Sequence, residues 1–131
     1  ELRCADTEPP EYALALAALV EGLFYNQDAL QHAAALTAHW SFGERLETWH
    51  RAHRSALAGA TPDGKPLLDF ARELLKMAKP SASAEPFLDP LRELLADGRS
   101  LAERTAAEIT RKGAGADLQS ILAPYCCSYS S

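Results

Sequence analysis

Apolar residues recur at helical spacing along most of this chain. The clearest example follows Pro66, where apolar positions three or four apart form one stripe and the charged residues lie mostly off it. The residues of this stripe are Leu67, Phe70, Ala71, Leu74, Leu75 and Ala78. The pattern predicts an amphipathic helix with one buried face.

Two prolines mark the start of an earlier helix. Asp6 or Thr7 can cap a helix whose first turn contains Pro9 and Pro10, because a missing N–H costs nothing there. We expect this helix to reach Phe24. Its apolar residues extend around the cylinder, which indicates burial on several sides.

Capping signals and helix-stop signals define most of the remaining elements. Ser41 and Ser100 are each followed three residues later by a glutamate, and these capping boxes predict helices over 41–59 and 100–111. The other predicted elements are helices over 26–40 and 88–97, a turn over 61–64, a loop over 80–86 and a short helix over 117–122. The chain is therefore expected to be mainly α-helical, with about six helices.

The first six residues are predicted to form a single strand. Apolar Leu2 and Cys4 alternate with polar neighbours, so Glu1 and Arg3 would lie side by side on one face. A lone strand cannot satisfy its own backbone groups, so it must pair with strands that this chain does not contain. Since the chain also starts at Glu1 rather than Met, we expect part of a larger protein. Residues 1–123 would be its helical unit and 124–131 a disordered tail.

Composition narrows the class of protein. The 131 residues are 47% hydrophobic and 24% charged, which is typical of a globular domain. A net charge of −5 without a basic patch argues against a nucleic-acid partner. No stretch approaches the roughly 20 apolar residues of a membrane span. The three cysteines match no zinc or disulfide spacing, which favours a reducing, cytoplasmic location.

Glu1 and Arg3 are the most promising candidates for chemistry. A carboxylate supplies the hard oxygen that Mg²⁺ prefers, and a planar guanidinium matches two oxygens of a phosphate or carboxylate. Side by side on a strand, they could bind a metal ion and a phosphoryl group together. The alternative is a surface ion pair on a sheet, which spacing alone favours because Glu-x-Arg is common.

The histidines and tryptophans have simpler interpretations. His50 and His53 are three residues apart on a helix and could share a metal, but the adjacent arginines would repel a cation, so a solvated helix face is favoured. His39 is expected to pack against neighbours or to face solvent. Trp40 and Trp49 are predicted to belong to a helix–helix core.

Motifs in conserved order give the chain a resemblance to the plant and proteobacterial glutamate–cysteine ligases. In that family a strand reading Glu-x-Arg-Gly-Ala-Asp leads to a helix ending Gly-Leu-Leu-Tyr-Asp. Here the same positions read Glu1-Leu2-Arg3-Cys4-Ala5-Asp6 and Gly22-Leu23-Phe24-Tyr25-Asn26. Further segments that resemble the family are 39–45, 71–79, 87–95 and 98–103. The resemblance extends to about residue 110.

The resemblance implies a parent fold and a reaction. Such ligases are similar to glutamine synthetase, an α+β fold whose curved antiparallel sheet holds ATP, Mg²⁺ and L-glutamate. ATP phosphorylates the γ-carboxylate of glutamate, and the amine of L-cysteine then attacks to give γ-glutamylcysteine, the first step of glutathione synthesis. On this basis Glu1 resembles the metal-ligating Glu and Arg3 the phosphate- or substrate-binding Arg. The chain would need the rest of the parent chain and be inactive alone.

Departures from the family pattern leave alternatives open. Cys4 replaces a glycine, Thr7-Glu8-Pro9-Pro10 replaces Gly-Gly-Pro-Trp, and Ala17-Ala18-Leu19-Val20 replaces Pro-Ala-Phe-Trp. Less aromatic bulk puts the amine substrate in doubt more than the phosphoryl chemistry, so a related carboxylate–amine ligase with another amine is one alternative. The others are a non-catalytic helical interaction module and a subunit that completes a split ligase.

Overall fold

The computed structural model describes residues 9–113 of the chain, and that part is built from α-helices. Within this range 75% of the residues are helical and no strand occurs, so the prediction of a mainly helical chain is confirmed for these residues. None of the helices in this range is both long and apolar enough to cross a membrane.

Six α-helices and two short 3-10 helices make up the described part. The α-helices are α1 (Pro10–Phe24), α2 (Gln27–Thr37), α3 (Phe42–Ser55), α4 (Leu67–Met77), α5 (Asp89–Asp97) and α6 (Leu101–Lys112). The 3-10 helices are Ala56–Ala58 and Glu85–Leu88. The strand predicted for residues 1–6, the short helix for 117–122 and the tail 124–131 lie outside the described residues.

Helix α1 lies at the centre of this arrangement. It contacts α2, α4, α5 and the 3-10 helix that contains Leu88. Buried Ala15 and Ala18 let these neighbours approach closely, and Leu88 is only 1% exposed. Leu14 and Phe24 remain about half exposed, so the burial of α1 on several sides is incomplete.

Gly22 permits the closest approach to α1. The amide of Lys79 donates to the Gly22 carbonyl over 3.0 Å. A Cβ at position 22 would lie 2.8 Å from both the Lys79 nitrogen and the Pro80 ring. The segment that follows α4 can therefore pass over α1 only because residue 22 has no side chain.

The hydrogen bonds that cap the N-termini of α3 and α6 are those that the sequence predicts. Both capping boxes are present: Ser41 Oγ accepts from the Glu44 amide and Ser100 Oγ from the Glu103 amide, and each glutamate accepts from its serine's amide. The prediction for α1 is wrong in detail. Its N-cap is Pro9, which makes no side-chain cap bond, rather than Asp6 or Thr7.

Helix ends differ more from prediction than helix starts. Helix α2 ends at Thr37, whose carbonyl accepts from the Trp40 amide and the Arg45 guanidinium; Arg45 also donates to the Trp40 carbonyl. Helix α3 ends at Ser55, and the chain turns at Ala56, the first residue of the 3-10 helix, where φ is 45°. Both stops depend on the chain path beyond the helix, which periodicity does not encode.

Candidate functional site

The two site residues suggested by the sequence lie outside the described part of the chain. Glu1, predicted as a metal ligand, and Arg3, predicted to bind phosphate or substrate, both precede residue 9. Their roles stay predictions. Within residues 9–113 no three histidine, cysteine, aspartate or glutamate side chains form a group that could hold a metal ion.

Asp63 is the centre of a polar cluster that joins two parts of the chain. Its Oδ1 lies 2.9 Å from Nε2 of His39, and its Oδ2 accepts from Nε1 of Trp40, also over 2.9 Å. The two partners lie just beyond the end of α2, whereas Asp63 lies in the turn that precedes α4. One carboxylate therefore joins two segments that are far apart in sequence.

The turn that carries Asp63 is rigidly built. The Thr61 amide donates to the Lys65 carbonyl over 2.8 Å, and the Lys65 amide donates back to Thr61 Oγ1 over 3.1 Å. Gly64 closes the turn with a φ of 80°, a conformation that glycine adopts without steric cost. Thr61 is only 2% exposed. The turn predicted over 61–64 is thus confirmed, and it presents the carboxylate in a defined position.

Trp40 connects this cluster to the core. The indole is 8% exposed and its ring centroid lies 5.5 Å from that of Phe70 on α4. Its burial agrees with the predicted role in a helix–helix core. The same prediction is wrong for Trp49, which is 54% exposed because α3 buries none of its residues. The Trp49 ring instead lies edge-on against His50 and His53.

A cavity of about 330 Å³ adjoins the cluster. We call it the Asp63 pocket; its lining residues are Ala35, Leu36, His39, Trp40, Thr61, Asp63, Lys65, Phe70 and Glu73. Lys65 forms an ion pair with Glu73 at its edge. His39 and Lys65, the two basic side chains of the pocket, are therefore each already paired with a carboxylate.

The hydrogen bonds of the cluster determine its ionisation. The bond from His39, followed by the bond from Trp40, holds the pKa of Asp63 below its ordinary value. An ionised carboxylate can only accept, so His39 carries its proton on Nε2 and donates it.

An imidazole oriented by a carboxylate has the form of an acid–base pair. Two candidate nucleophiles line the Asp63 pocket, however, and both are engaged: the Thr61 hydroxyl accepts from the Lys65 amide, and the Lys65 ammonium group pairs with Glu73. His39 is also well exposed, so solvent competes for its free nitrogen. The geometry therefore favours a structural clamp between the end of α2 and the 61–65 turn.

Sequence reasoning missed this cluster. His39 and Asp63 are 24 residues apart, and the Thr-Pro-Asp-Gly sequence around Asp63 indicates only a turn. No spacing motif connects the two residues. They meet because the path from α3 through the turn returns the chain to the end of α2.

Helix α3 carries an apolar stripe that nothing covers among the described residues. Phe42, Leu46, Trp49 and His53 fall at helical spacing on one face, and the three apolar members are 81%, 45% and 54% exposed. We refer to these four residues as the α3 stripe. At the end of α1, Phe24 and Tyr25 are likewise exposed. Aromatic surface of this kind is typical of interaction sites.

No protein-family model, no curated protein and no solved structure matches this chain. A functional assignment must therefore stand on the chain's own residues and on the order of its motifs.

Proposed function

We propose that this chain is the C-terminal helical part of an ATP-dependent glutamate–cysteine ligase. The observation that carries the proposal is the succession, in the family's order, of segments that resemble that family. They begin with Glu1-x-Arg3 and Gly22-Leu23-Phe24-Tyr25-Asn26 and continue to the segment 98–103. Single motifs of this length are unspecific, but their common order is not.

In this proposal two residues contribute to the chemistry. The γ-carboxylate of L-glutamate attacks the terminal phosphorus of ATP and releases ADP, and the amine of L-cysteine then attacks the acyl carbon. The C–O bond breaks, phosphate leaves and the amine loses a proton. Arg3 would stabilise charge on the transferred phosphoryl group or hold the substrate, and Glu1 would supply a ligand for Mg²⁺. The bound metal neutralises polyphosphate charge.

Physical reasons for two motif residues support the proposal. Gly22, the first residue of the Gly22–Asn26 motif, is the point where the Lys79–Pro80 backbone passes over α1. Asn26, the last residue of that motif, caps α2 through a 3.0 Å bond from the Ala29 amide. The motif thus lies at the end of α1 and is tied to the packing of that helix.

The exposed aromatic residues fit the idea of a larger parent. We expect the rest of the parent chain to cover the α3 stripe and the end of α1, because burial of such surface is worth roughly 25 cal/mol per Å². The expected location is the cytoplasm, where ATP is available and where cysteines outside any disulfide pattern stay reduced. A non-catalytic helical interaction module is the second candidate, favoured by the same exposed stripe.

The proposal can be tested on the parent chain. Reading the gene upstream of Glu1 should show an open frame that encodes further strands bearing Glu and Arg. The parent protein, given ATP, Mg²⁺, glutamate and cysteine, should form γ-glutamylcysteine and ADP in equal amounts, measured by chromatography. The 131-residue chain alone should form neither. A parent that forms ADP only with another amine would establish the related ligase instead.

Replacement of Arg3 by Ala in the parent tests the site. Loss of one preorganised charge should lower turnover by about 10²–10³-fold while the unfolding midpoint stays unchanged. Arg54→Ala is the matched control, because Arg54 is an exposed arginine whose contact is a 3.4 Å pair with Glu47. Normal turnover in Arg3→Ala would remove the site assignment.

A further inference from the structure

Helices α4 and α5 border an open surface cavity of about 430 Å³. Its apolar lining comes from Leu75 and Ala78 on the α4 side and from Leu95 and Ala96 on α5. The two alanines leave room that larger side chains would fill. We call this cavity the α4–α5 groove.

Three cations, and no carboxylate, complete the lining of the α4–α5 groove: Arg72, Lys76 and Arg92. This is unusual in a chain whose net charge is −5. Apolar walls lower the local dielectric and strengthen the effect of the cations on anything that enters. The chemistry of the groove is therefore that of an apolar slot with a positive edge.

The two arginines are held in place by other groups. Arg72 donates from Nε and Nη2 to the Leu95 carbonyl, over 3.1 and 2.7 Å, and so ties α4 to the last turn of α5. Arg92 pairs with Glu85 and, over 2.7 Å, with Asp89, and these two bonds raise the pKa of Arg92. The carboxylates are not among the lining residues, so the guanidinium groups are the charges that border the groove.

Arg72 also pairs with Asp69 over 3.3 Å, whereas Lys76 has no ion pair within residues 9–113. Glu73, three residues earlier on α4, would be its natural partner. That carboxylate pairs with Lys65 instead. The ammonium group of Lys76 is therefore available to a ligand without first breaking a bond inside the described part of the chain.

We propose that the α4–α5 groove binds an organic anion, with an apolar or aromatic portion on the Leu75, Ala78, Leu95 and Ala96 surface and a carboxylate, sulfonate or phosphate against Lys76. Inorganic anions fit less well, because they would leave the apolar lining unused. Neutral apolar molecules would leave the cation unused. The inference does not depend on the ligase reaction, since none of these residues is assigned to it.

A matched pair of fluorescent probes tests the proposal on the 131-residue chain. The anion 8-anilinonaphthalene-1-sulfonate combines an aromatic body with a sulfonate, and N-phenyl-1-naphthylamine is the same body without the charge. Lys76→Gln should weaken binding of the sulfonate roughly three- to tenfold and leave the neutral probe unchanged. Added salt should weaken the sulfonate binding of the wild-type chain and affect the variant less.

Two further variants decide between a specific and a general charge effect. Lys76→Arg keeps the charge and should retain the wild-type affinity. Lys79→Gln removes the same charge from an exposed residue one turn away that does not line the groove, and it should leave both probes unaffected. Unchanged sulfonate affinity in Lys76→Gln would overturn the proposal. So would an equal loss in Lys79→Gln or an equal loss for the neutral probe.

Discussion

Helices α1 and α3 are almost equal in length, with 15 and 14 residues, yet their roles in the molecule are opposite. Helix α1 begins at prolines without a side-chain cap and is contacted by three other α-helices. Helix α3 has a complete capping box and buries none of its residues. The comparison shows that signals which start a helix and signals which bury it are independent. Small residues, rather than caps, make a helix central.

Their means of attachment differ in the same way. Helix α1 is held along its length by packing on Ala15 and Ala18 and by the passage of residues 79–80 over Gly22. Helix α3 is held near its start, where Arg45 binds the carbonyls of Thr37 and Trp40. A helix attached mainly at one end leaves a face free, and we propose that the rest of the parent chain covers this face, the α3 stripe.

The largest expected difference between the two helices is the loss of stability when a leucine that packs on α1, or one on α3, is truncated to alanine. Leu88, which is 1% exposed, lies in the 3-10 helix that packs on α1, so Leu88→Ala should lower the free energy of unfolding by about 2–5 kcal/mol. Leu46→Ala in the α3 stripe should cost less than about 1 kcal/mol, because half of that side chain already meets solvent. Urea unfolding followed by circular dichroism measures both values. Equal losses would mean that the α3 stripe is buried in solution.

Glycine-to-alanine substitutions in α1 and α3 should change the free energy of unfolding by smaller amounts and in opposite directions. Gly22→Ala in α1 should destabilise by about 1–3 kcal/mol, since the new Cβ meets the Lys79–Pro80 backbone at 2.8 Å. Gly43→Ala in α3 meets nothing within 4 Å and should stabilise by about 0.4–1 kcal/mol through reduced backbone entropy. Thermal unfolding of the two variants provides the measurement. A neutral Gly22→Ala would show that residues 79–80 do not rest on α1.

The Asp63 clamp should show itself as a modest pH dependence. The pKa of Asp63 is lowered in the folded chain, so its contribution to stability is complete above the ordinary value of 3.8 and is lost as pH falls through the lower folded value. Asp63→Asn should be less stable than the wild type at pH 7, and the gap should narrow toward pH 2. Urea midpoints across this range test it. A gap that stays constant with pH would exclude the carboxylate charge as the source.

Much of the local structure could be predicted from residue order. The capping boxes at Ser41 and Ser100, the turn over 61–64 and the stripe of α4 are all decided by groups within a few residues of each other. Trp40 and Trp49 show where such prediction stops. Trp40 lies just before α3 and Trp49 in its middle, but Trp40 packs on Phe70 and Trp49 faces solvent. Residue identity and spacing do not reveal that Trp40, and not Trp49, packs against Phe70, which lies 30 residues further along the chain.

By itself, then, the amino-acid sequence determined where helices begin, which faces are apolar, and the motif order on which the ligase proposal rests. Only the tertiary structure decided that His39 and Trp40 share the carboxylate of Asp63, and that Lys76, without an ion pair among residues 9–113, borders the α4–α5 groove. The physical reason is range. A capping bond spans three residues and follows from local backbone geometry, whereas a contact across 23 or 24 residues depends on every helix and turn between them.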